Sequence, residues 1–195
     1  MSVQRGRSRI SQIAESIKPD NIMEMETVES PDIDDRISWM IEEINEGKRD
    51  PRIRQIAGDI LGKKTKDGQW AVPERDWLAE IKAVFEYVRK NVRFTRDPHD
   101  LELFQKPRRT LETHIADCDD LTILSCALLQ SIGYPVFIRV IGINSKSFSH
   151  VYLLVAYPPH EPKQVTPFDA SRGEGVGWEL KEGVTVKRDY EVTEE

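Results

Sequence analysis

The segment Ala116–Asp120, with the apolar run Leu121–Ile132 behind it, limits the fold more than any other part of the sequence. Leucines recur at helical spacing along the run and a glycine follows its end, which predicts one buried helix. Asp117 is a residue type that caps free backbone N–H groups, and Asp120 three positions later resembles a capping box. Cys118 therefore lies in the first turn, where the helix dipole favours a thiolate. We interpret this thiol as a nucleophile.

The composition excludes several classes of protein. A chain of 195 residues with 32% charged and 38% hydrophobic residues is typical of one soluble domain with an extension. A net charge of −6 gives little support to nucleic-acid binding. No apolar stretch approaches the roughly 20 residues that span a bilayer, and the start lacks the apolar core of a signal peptide. We expect no nucleic-acid or membrane partner, and a cytoplasmic protein that is free or associated with a virion.

The sequence contains two cysteines, Cys118 and Cys126. On one helix their separation along the axis is about 12 Å, which is too far for a disulfide. This usage is typical of a reducing compartment, and Cys126 is expected to be a small buried apolar residue.

Three regions are predicted along the chain. Residues 1–30 show no sustained period and are expected to form a flexible arm, with docking of a partner helix as the alternative. Residues 31–72 are expected to form a helical extension. Its first helix ends at Gly47, and its second starts at Asp50-Pro51 and stops at Gly62. Residues 73–195 are expected to form the catalytic domain.

The catalytic domain is predicted to be α+β, with the cysteine helix packed on an antiparallel sheet. A long helix is expected from Pro73-Glu74 through Asn91, followed by a loop from Arg96 to Thr110. After the cysteine helix the apolar period changes from that of a helix to that of a strand. The predicted strands are Tyr134–Ile143, Ser149–Tyr157 and Gln164–Phe168, with Val184–Tyr190 as an added edge strand.

His150 begins the second predicted strand and Asp169 follows the third. If the strands form a meander, both side chains lie on one edge of the sheet, and that edge is expected to face Cys118. These three side chains would form a catalytic relay. The thiol is the nucleophile, the imidazole takes its proton, and the carboxylate orients the imidazole.

Several segments together resemble the transglutaminase-like superfamily, which belongs to the papain-like cysteine enzymes. They are Thr110-Leu111, Ala116–Leu121, Gly133–Pro135, Ser149–Tyr152 and Pro167–Ser171. The resemblance covers roughly residues 74 to 171 and implies an α+β fold with a Cys118–His150–Asp169 triad. Upstream, Arg49–Arg52 and Pro98 are similar to members found in phages and prophages. Ala116 departs from the glycine usual in the family, which affects only the expected local backbone geometry.

Plainer readings apply to each of these residues. Cys118 could be an inert thiol, His150 a surface strand residue, and Asp169 a turn residue. A hard-cation site is the leading alternative chemistry. Its ligands would be Asp117, Asp119, Asp120 and His150, but their spacing matches no calcium loop and no zinc pattern. We therefore expect no metal and no cofactor.

Acyl transfer also needs an oxyanion hole. The backbone N–H of Cys118 is one expected donor, and the amide of Gln105 is the expected second. His114 is another candidate, although solvated side chains are the default at both positions. The neighbouring aspartates raise the pKa of a thiol, and a helix terminus contributes only about 0.3 to 1 kcal/mol. Ion pairing with His150 is therefore expected to be the main activator of Cys118.

The predicted function is a thiol peptidase or amidase that hydrolyses a peptide, isopeptide or amide bond through a thioester. The expected partner is a protein or peptide substrate. One alternative is a cross-linking transglutaminase, in which an amine replaces water. The other is a phage structural or assembly protein that retains the fold and contacts a phage structural partner through its arm.

Overall fold

A computed structural model describes residues 32–96, 104–144 and 147–193. The chain divides into two compact units, residues 1–39 and 40–195. The predicted arm, residues 1–30, lies outside the described residues. The predicted domain limits at residues 30 and 72 stay predictions.

Two short helices open the described chain, as the sequence predicts. Helix α1 is Ile33–Gly47 and helix α2 is Pro51–Leu61. The Asp50 carboxylate caps α2 by accepting a 2.7 Å hydrogen bond from the Arg52 N–H, and Gly62 is its C-cap.

Helix α3, Trp77–Asn91, begins later than the sequence indicates. The predicted start at Pro73-Glu74 is wrong because Asp76 is the N-cap, with its carboxylate accepting from the Ala79 N–H at 2.9 Å. Arg75, immediately before that cap, has a positive φ of 62°, which no right-handed helix accommodates.

The described residues between α3 and the cysteine helix contain secondary structure that was not predicted. They include strand β1, Arg93–Phe94, which pairs in parallel with strand β2, Ile115–Ala116. Between them lies helix α4, Pro107–Thr113, where the sequence analysis placed part of a loop ending at Thr110. The loop prediction is wrong for this part because Pro107 stands in the first turn, where a missing N–H costs no hydrogen bond.

Helix α5, Cys118–Ser131, follows β2 directly and carries the cysteine. Most of its side chains are buried, including all residues from Asp119 through Leu129. It contacts strands, α2, α3 and α4, so it forms the centre of the core. Because α5 is buried on all sides, the surrounding packing holds its first turn, which contains Cys118, in place.

Four strands form one antiparallel sheet with the order β5-β4-β3-β6. They are β3 (Val136–Asn144), β4 (Ser147–Tyr157), β5 (Gln164–Phe168) and β6 (Val186–Glu191). The predicted meander of three strands and the edge strand are confirmed, and the edge strand pairs with β3. The α+β prediction, with the cysteine helix on an antiparallel sheet, is confirmed.

The two faces of β4 have different neighbours. Phe168, paired with Leu153 at the end of β5, touches Phe85 of α3 at a ring distance of 5.1 Å, so this face meets the helices. On the other face Tyr152 and Leu154 pack with Leu180 from the connection between β5 and β6. That connection therefore covers the face that carries the even-numbered residues of β4.

Candidate active site

Cys118 is the first residue of α5. The Asp117 carboxylate caps the helix by accepting from the Asp120 N–H at 2.9 Å, which confirms the predicted N-cap. Thr122 then donates from its hydroxyl to the Cys118 carbonyl at 2.8 Å. The backbone around the cysteine is therefore held on both sides of the residue.

The first turn of α5 lies against β4 next to His150. There the Thr122 hydroxyl oxygen lies 3.4 Å from the Val151 carbonyl oxygen. The backbone N–H of Val151 contacts the Cys118 thiol and favours its thiolate. Cys118 thus touches the residue that directly follows His150.

His150 and Asp169 form a buried pair. His150 Nε2–H donates to Asp169 Oδ2 at 2.7 Å, and each side chain is 1% exposed. Asp169 Oδ1 accepts from the Ser171 N–H at 3.0 Å, the Ser171 hydroxyl at 2.7 Å and the Arg172 N–H at 3.0 Å. Burial raises the pKa of the Asp169 carboxyl, but the hydrogen bond and charge of His150, with these other donors, outweigh it and lower the pKa.

The second ring nitrogen of His150 is the basic one. Because Nε2 carries the proton toward Asp169, Nδ1 has the free lone pair in the neutral ring. Nδ1 is buried and has no hydrogen-bond partner among the residues that the structure describes. The Cys118 thiol instead donates to Asp119 Oδ1 at 3.7 Å. The structure therefore joins His150 to Asp169 and places the Cys118 thiol against the backbone N–H of Val151, without a hydrogen bond between the described sulfur and imidazole.

The surroundings of Cys118 favour the neutral thiol. Burial is the largest cause of its raised pKa, followed by the charges of Asp119 and Asp117, while the Val151 N–H lowers it. Burial alone raises the pKa of Cys126. The two thiols differ in what touches them, because Cys126 is fully buried and Cys118 is partly exposed.

The amide of Gln105, the expected second oxyanion donor, is bonded to other groups of the chain. Its side-chain Nε2 donates to Asp120 Oδ2 at 2.6 Å and to the Ile115 carbonyl at 3.2 Å, and its backbone N–H donates to Asp120 Oδ1 at 2.7 Å. Both hydrogens of the amide are used, so these contacts do not support the expected role. Gln105 instead ties the segment before α4 to the first turn of α5.

The other candidate side chains contact neighbouring groups of the chain. His114, in a left-handed conformation at the end of α4, is exposed, and its Nδ1 lies 2.9 Å from the Asn91 carbonyl. For the cation alternative, no group of three or more His, Cys, Asp or Glu side chains within residues 32–96, 104–144 and 147–193 is placed to hold a metal ion. Asp120 is engaged by Gln105, and His150 by Asp169.

Three side chains near His150 were not predicted from the sequence. They are Tyr152, Glu179 and Arg139, which are joined by hydrogen bonds. Strand periodicity puts Tyr152 on the same face as His150 and could have indicated the first of them. Glu179 lies in an irregular connection, and the sequence carries no sign of its place.

The part of the chain that carries Cys118 and His150 matches a known family. The transglutaminase-like superfamily matches residues 64–162, which is just over half of the chain and includes Cys118 and His150. The chain belongs to the transglutaminase-like superfamily. Asp169 lies beyond the matched residues, and its 2.7 Å hydrogen bond to His150 is what links it to them.

Three solved structures resemble this transglutaminase-like chain in fold. A "putative cysteine protease" from Cytophaga hutchinsonii has 17% identity and a TM-score of 0.48, covering 76% of this chain and 46% of that one. A structure described as "a TGase" has 13% identity and a TM-score of 0.43, covering 90% and 40%. A "putative protease" from Parabacteroides distasonis ATCC 8503 has 8% identity and a TM-score of 0.47, covering 73% and 30%.

This transglutaminase-like chain spans less than half the length of each of those structures. No curated protein matches the sequence. Within the described ranges, none of the helices has the length and apolar character to cross a bilayer.

Proposed function

We propose that this chain is a cysteine-dependent acyl-transfer enzyme. Cys118 is the nucleophile, His150 the general base and acid, and Asp169 the carboxylate that orients the imidazole. The buried 2.7 Å His150–Asp169 pair supports this most strongly, because it leaves Nδ1 as a buried basic nitrogen without a partner. The Cys118 thiol contacts the backbone N–H of Val151, the residue that directly follows His150 in the chain.

The reaction begins from a neutral thiol. The sulfur turns from Asp119, 3.7 Å away, toward Nδ1 of His150, which takes its proton. Catalytic hydrogen bonds are often long before substrate binds and tighten in the complex, so the open starting arrangement is compatible with this step. The helix terminus contributes only about 0.3 to 1 kcal/mol, and His150 therefore supplies most of the activation.

Acylation then proceeds through a tetrahedral intermediate. The thiolate attacks the substrate carbonyl carbon, and the backbone N–H of Cys118, in the first turn of α5, donates to the developing oxyanion. The C–N bond breaks and His150 gives its proton to the departing amine. Water, deprotonated by His150, then attacks the thioester, which releases the acid and restores the thiol.

The favoured reaction is hydrolysis of a peptide, isopeptide or amide bond in a protein or peptide. Water is always present at a partly exposed thiol such as Cys118, whereas cross-linking requires an amine to reach the thioester first. Cross-linking is the alternative reaction, and the product analysis below distinguishes it from hydrolysis. A phage relationship, a phage structural partner for residues 1–30 and a cytoplasmic location are proposals from the sequence alone.

The direct test is selective alkylation of the native protein by iodoacetamide at neutral pH. We expect Cys118 to react faster than the buried Cys126, and His150→Ala to slow Cys118 by roughly 10- to 100-fold. His160→Ala is the matched control, because His160 is exposed and lies in the turn between β4 and β5, at the opposite end of β4 from His150, and it should leave the rate unchanged. Equal rates for Cys118 in the native protein and His150→Ala would refute the relay.

The fate of the acyl group distinguishes the two reactions. Thioester formed from an activated ester is followed with and without a primary amine such as cadaverine. Hydrolysis predicts free acid as the main product at millimolar amine. Amide as the main product would identify the chain as a transferase instead.

A further inference from the structure

The Tyr152 ring stacks on the His150 imidazole. Tyr152 follows His150 by two positions on β4, so the two side chains share a face of the sheet. Their ring centroids are 5.7 Å apart with an interplanar angle of 29°, and Tyr152 is 1% exposed. The imidazole thus has a flat neighbour that is itself enclosed.

This stacking restrains a motion that Asp169 leaves open. A single hydrogen bond at Nε2 fixes one end of the imidazole, but the ring can still tilt about that bond. Tilting moves Nδ1, the atom that must meet the Cys118 sulfur. An aromatic ring packed against one face of the imidazole opposes this tilt if that aromatic ring is itself held in place.

Glu179 holds the Tyr152 ring in place. The Tyr152 hydroxyl donates to Glu179 Oε1 at 2.7 Å. The same carboxylate accepts from Arg139 Nη1 at 2.6 Å and from Lys187 Nζ at 2.7 Å. Burial raises the pKa of the Glu179 carboxyl, but these three donors together lower it to about 2, so it stays ionised at neutral pH.

Arg139 is fixed from its other side by Asp189. Its Nε and Nη2 donate to the two oxygens of the Asp189 carboxylate, each at 2.6 Å. Two cations and two anions from β3, β6 and the connection before β6 thus form one closed cluster. Glu179 is the member that bonds to Tyr152. Asp189 takes part in the same cluster, where its carboxylate accepts from Arg139.

We propose that Glu179 is a positioning residue for His150 and acts through the Tyr152 ring. The inference rests on the proposed function of His150 as the base. A tyrosine needs a buried acceptor for its hydroxyl, whereas a phenylalanine would supply the same ring surface without one. The Glu179 side chain is 15% exposed, and burying a charged carboxylate to this extent costs desolvation free energy. Packing the connection before β6 against the sheet does not by itself require a charged residue at this position.

The test uses three variants of the full chain. Glu179→Gln removes the charge, and Tyr152→Phe removes only the hydroxyl while keeping the ring. Asp189→Asn removes one charge from the same cluster without touching Tyr152. For each variant, NMR of 15N-labelled protein reports the His150 imidazole shifts, and the rate of Cys118 alkylation is measured across pH. Thermal unfolding checks that each variant is folded.

We expect Glu179→Gln and Tyr152→Phe to shift the His150 imidazole resonances and to slow alkylation of Cys118 at neutral pH by about tenfold. Asp189→Asn should leave both close to the native values. Two results would overturn the inference: native resonances and rates in Tyr152→Phe, or equal changes in Asp189→Asn. Failure of the proposed function is distinct, because His150→Ala would then leave alkylation at its native rate. If Glu179→Gln does not fold, Tyr152→Phe decides alone.

Discussion

Asp119→Asn isolates the charge that most directly opposes the Cys118 thiolate. Asp119 Oδ1 lies 3.7 Å from the sulfur and accepts its proton in a weak hydrogen bond. Asparagine keeps the shape of the side chain and an acceptor oxygen, so the thiol retains a partner. Only the negative charge is removed.

The expected size of the effect follows from that distance. Two unit charges about 3.7 Å apart interact by about 4 kcal/mol at an effective dielectric constant of about 20. At about 1.4 kcal/mol for each pKa unit, the upper bound is about 3 units. Because Cys118 is partly exposed, we expect its pKa to fall by about 1 to 2 units. Burial, the largest cause of the raised pKa, and the Asp117 charge stay in place.

The assay is the second-order rate of iodoacetamide alkylation at a series of pH values, with peptide mass spectrometry to separate Cys118 from Cys126. A thiol with a lower pKa is present more often as thiolate, but each thiolate is a weaker nucleophile. With a Brønsted coefficient of about 0.5, a fall of about 1 to 2 units raises the rate about 3- to 10-fold below the pKa.

Cys126 provides an internal control, because burial alone raises its pKa and the change at residue 119 leaves that burial intact. A Cys118 rate that is unchanged or lower in Asp119→Asn, at every pH, would refute the account. It would mean that the Asp119 charge does not act on the sulfur as its distance indicates.

Three other perturbations follow from the site and its frame. The pKa of Asp169 is lower folded than unfolded, so its ionised form stabilises the fold above about pH 4 and this contribution is lost as pH falls further. The difference in unfolding free energy between the native chain and Asp169→Asn should therefore be larger at pH 7 than at pH 3 in urea titrations. Gly173→Ala places a Cβ 2.5 Å from the Asp169 carbonyl oxygen and should lower both stability and Cys118 alkylation, whereas Gly175→Ala meets nothing within 4 Å and should change neither. Gly58→Ala, inside α2 with nothing within 4 Å of its new methyl, should raise the unfolding free energy by about 0.5 to 1 kcal/mol, and a loss of stability would contradict this.

Local sequence features predicted the elements whose limits depend on local chemistry. Asp50, Pro51 and Gly62 mark the ends of α2, and Asp117 marks the start of α5, because a capping side chain acts within three residues. In the same way, the alternation of apolar residues predicted both strands of the β4–β5 hairpin.

Features that depend on distant partners were not predictable. The Gln105 amide donates to Asp120, fifteen residues away, and no local pattern in the sequence pairs these two side chains. Arg139 and Glu179 are 40 positions apart and meet only because β3 and the connection before β6 share a face of the sheet. Proline at the start of α4 was interpreted as a loop residue, although it fits a first helical turn equally well.

The most direct measurement of the central claim is the intact mass of the protein during reaction with p-nitrophenyl acetate. The account predicts a burst of about one p-nitrophenol per chain and a single acetyl group on the Cys118 sulfur, which hydroxylamine removes. His150→Ala should form this adduct much more slowly, and Cys118→Ser should not form the thioester. A native protein that never carries an acyl group on Cys118, or that acquires it at the same rate without His150, would contradict the account.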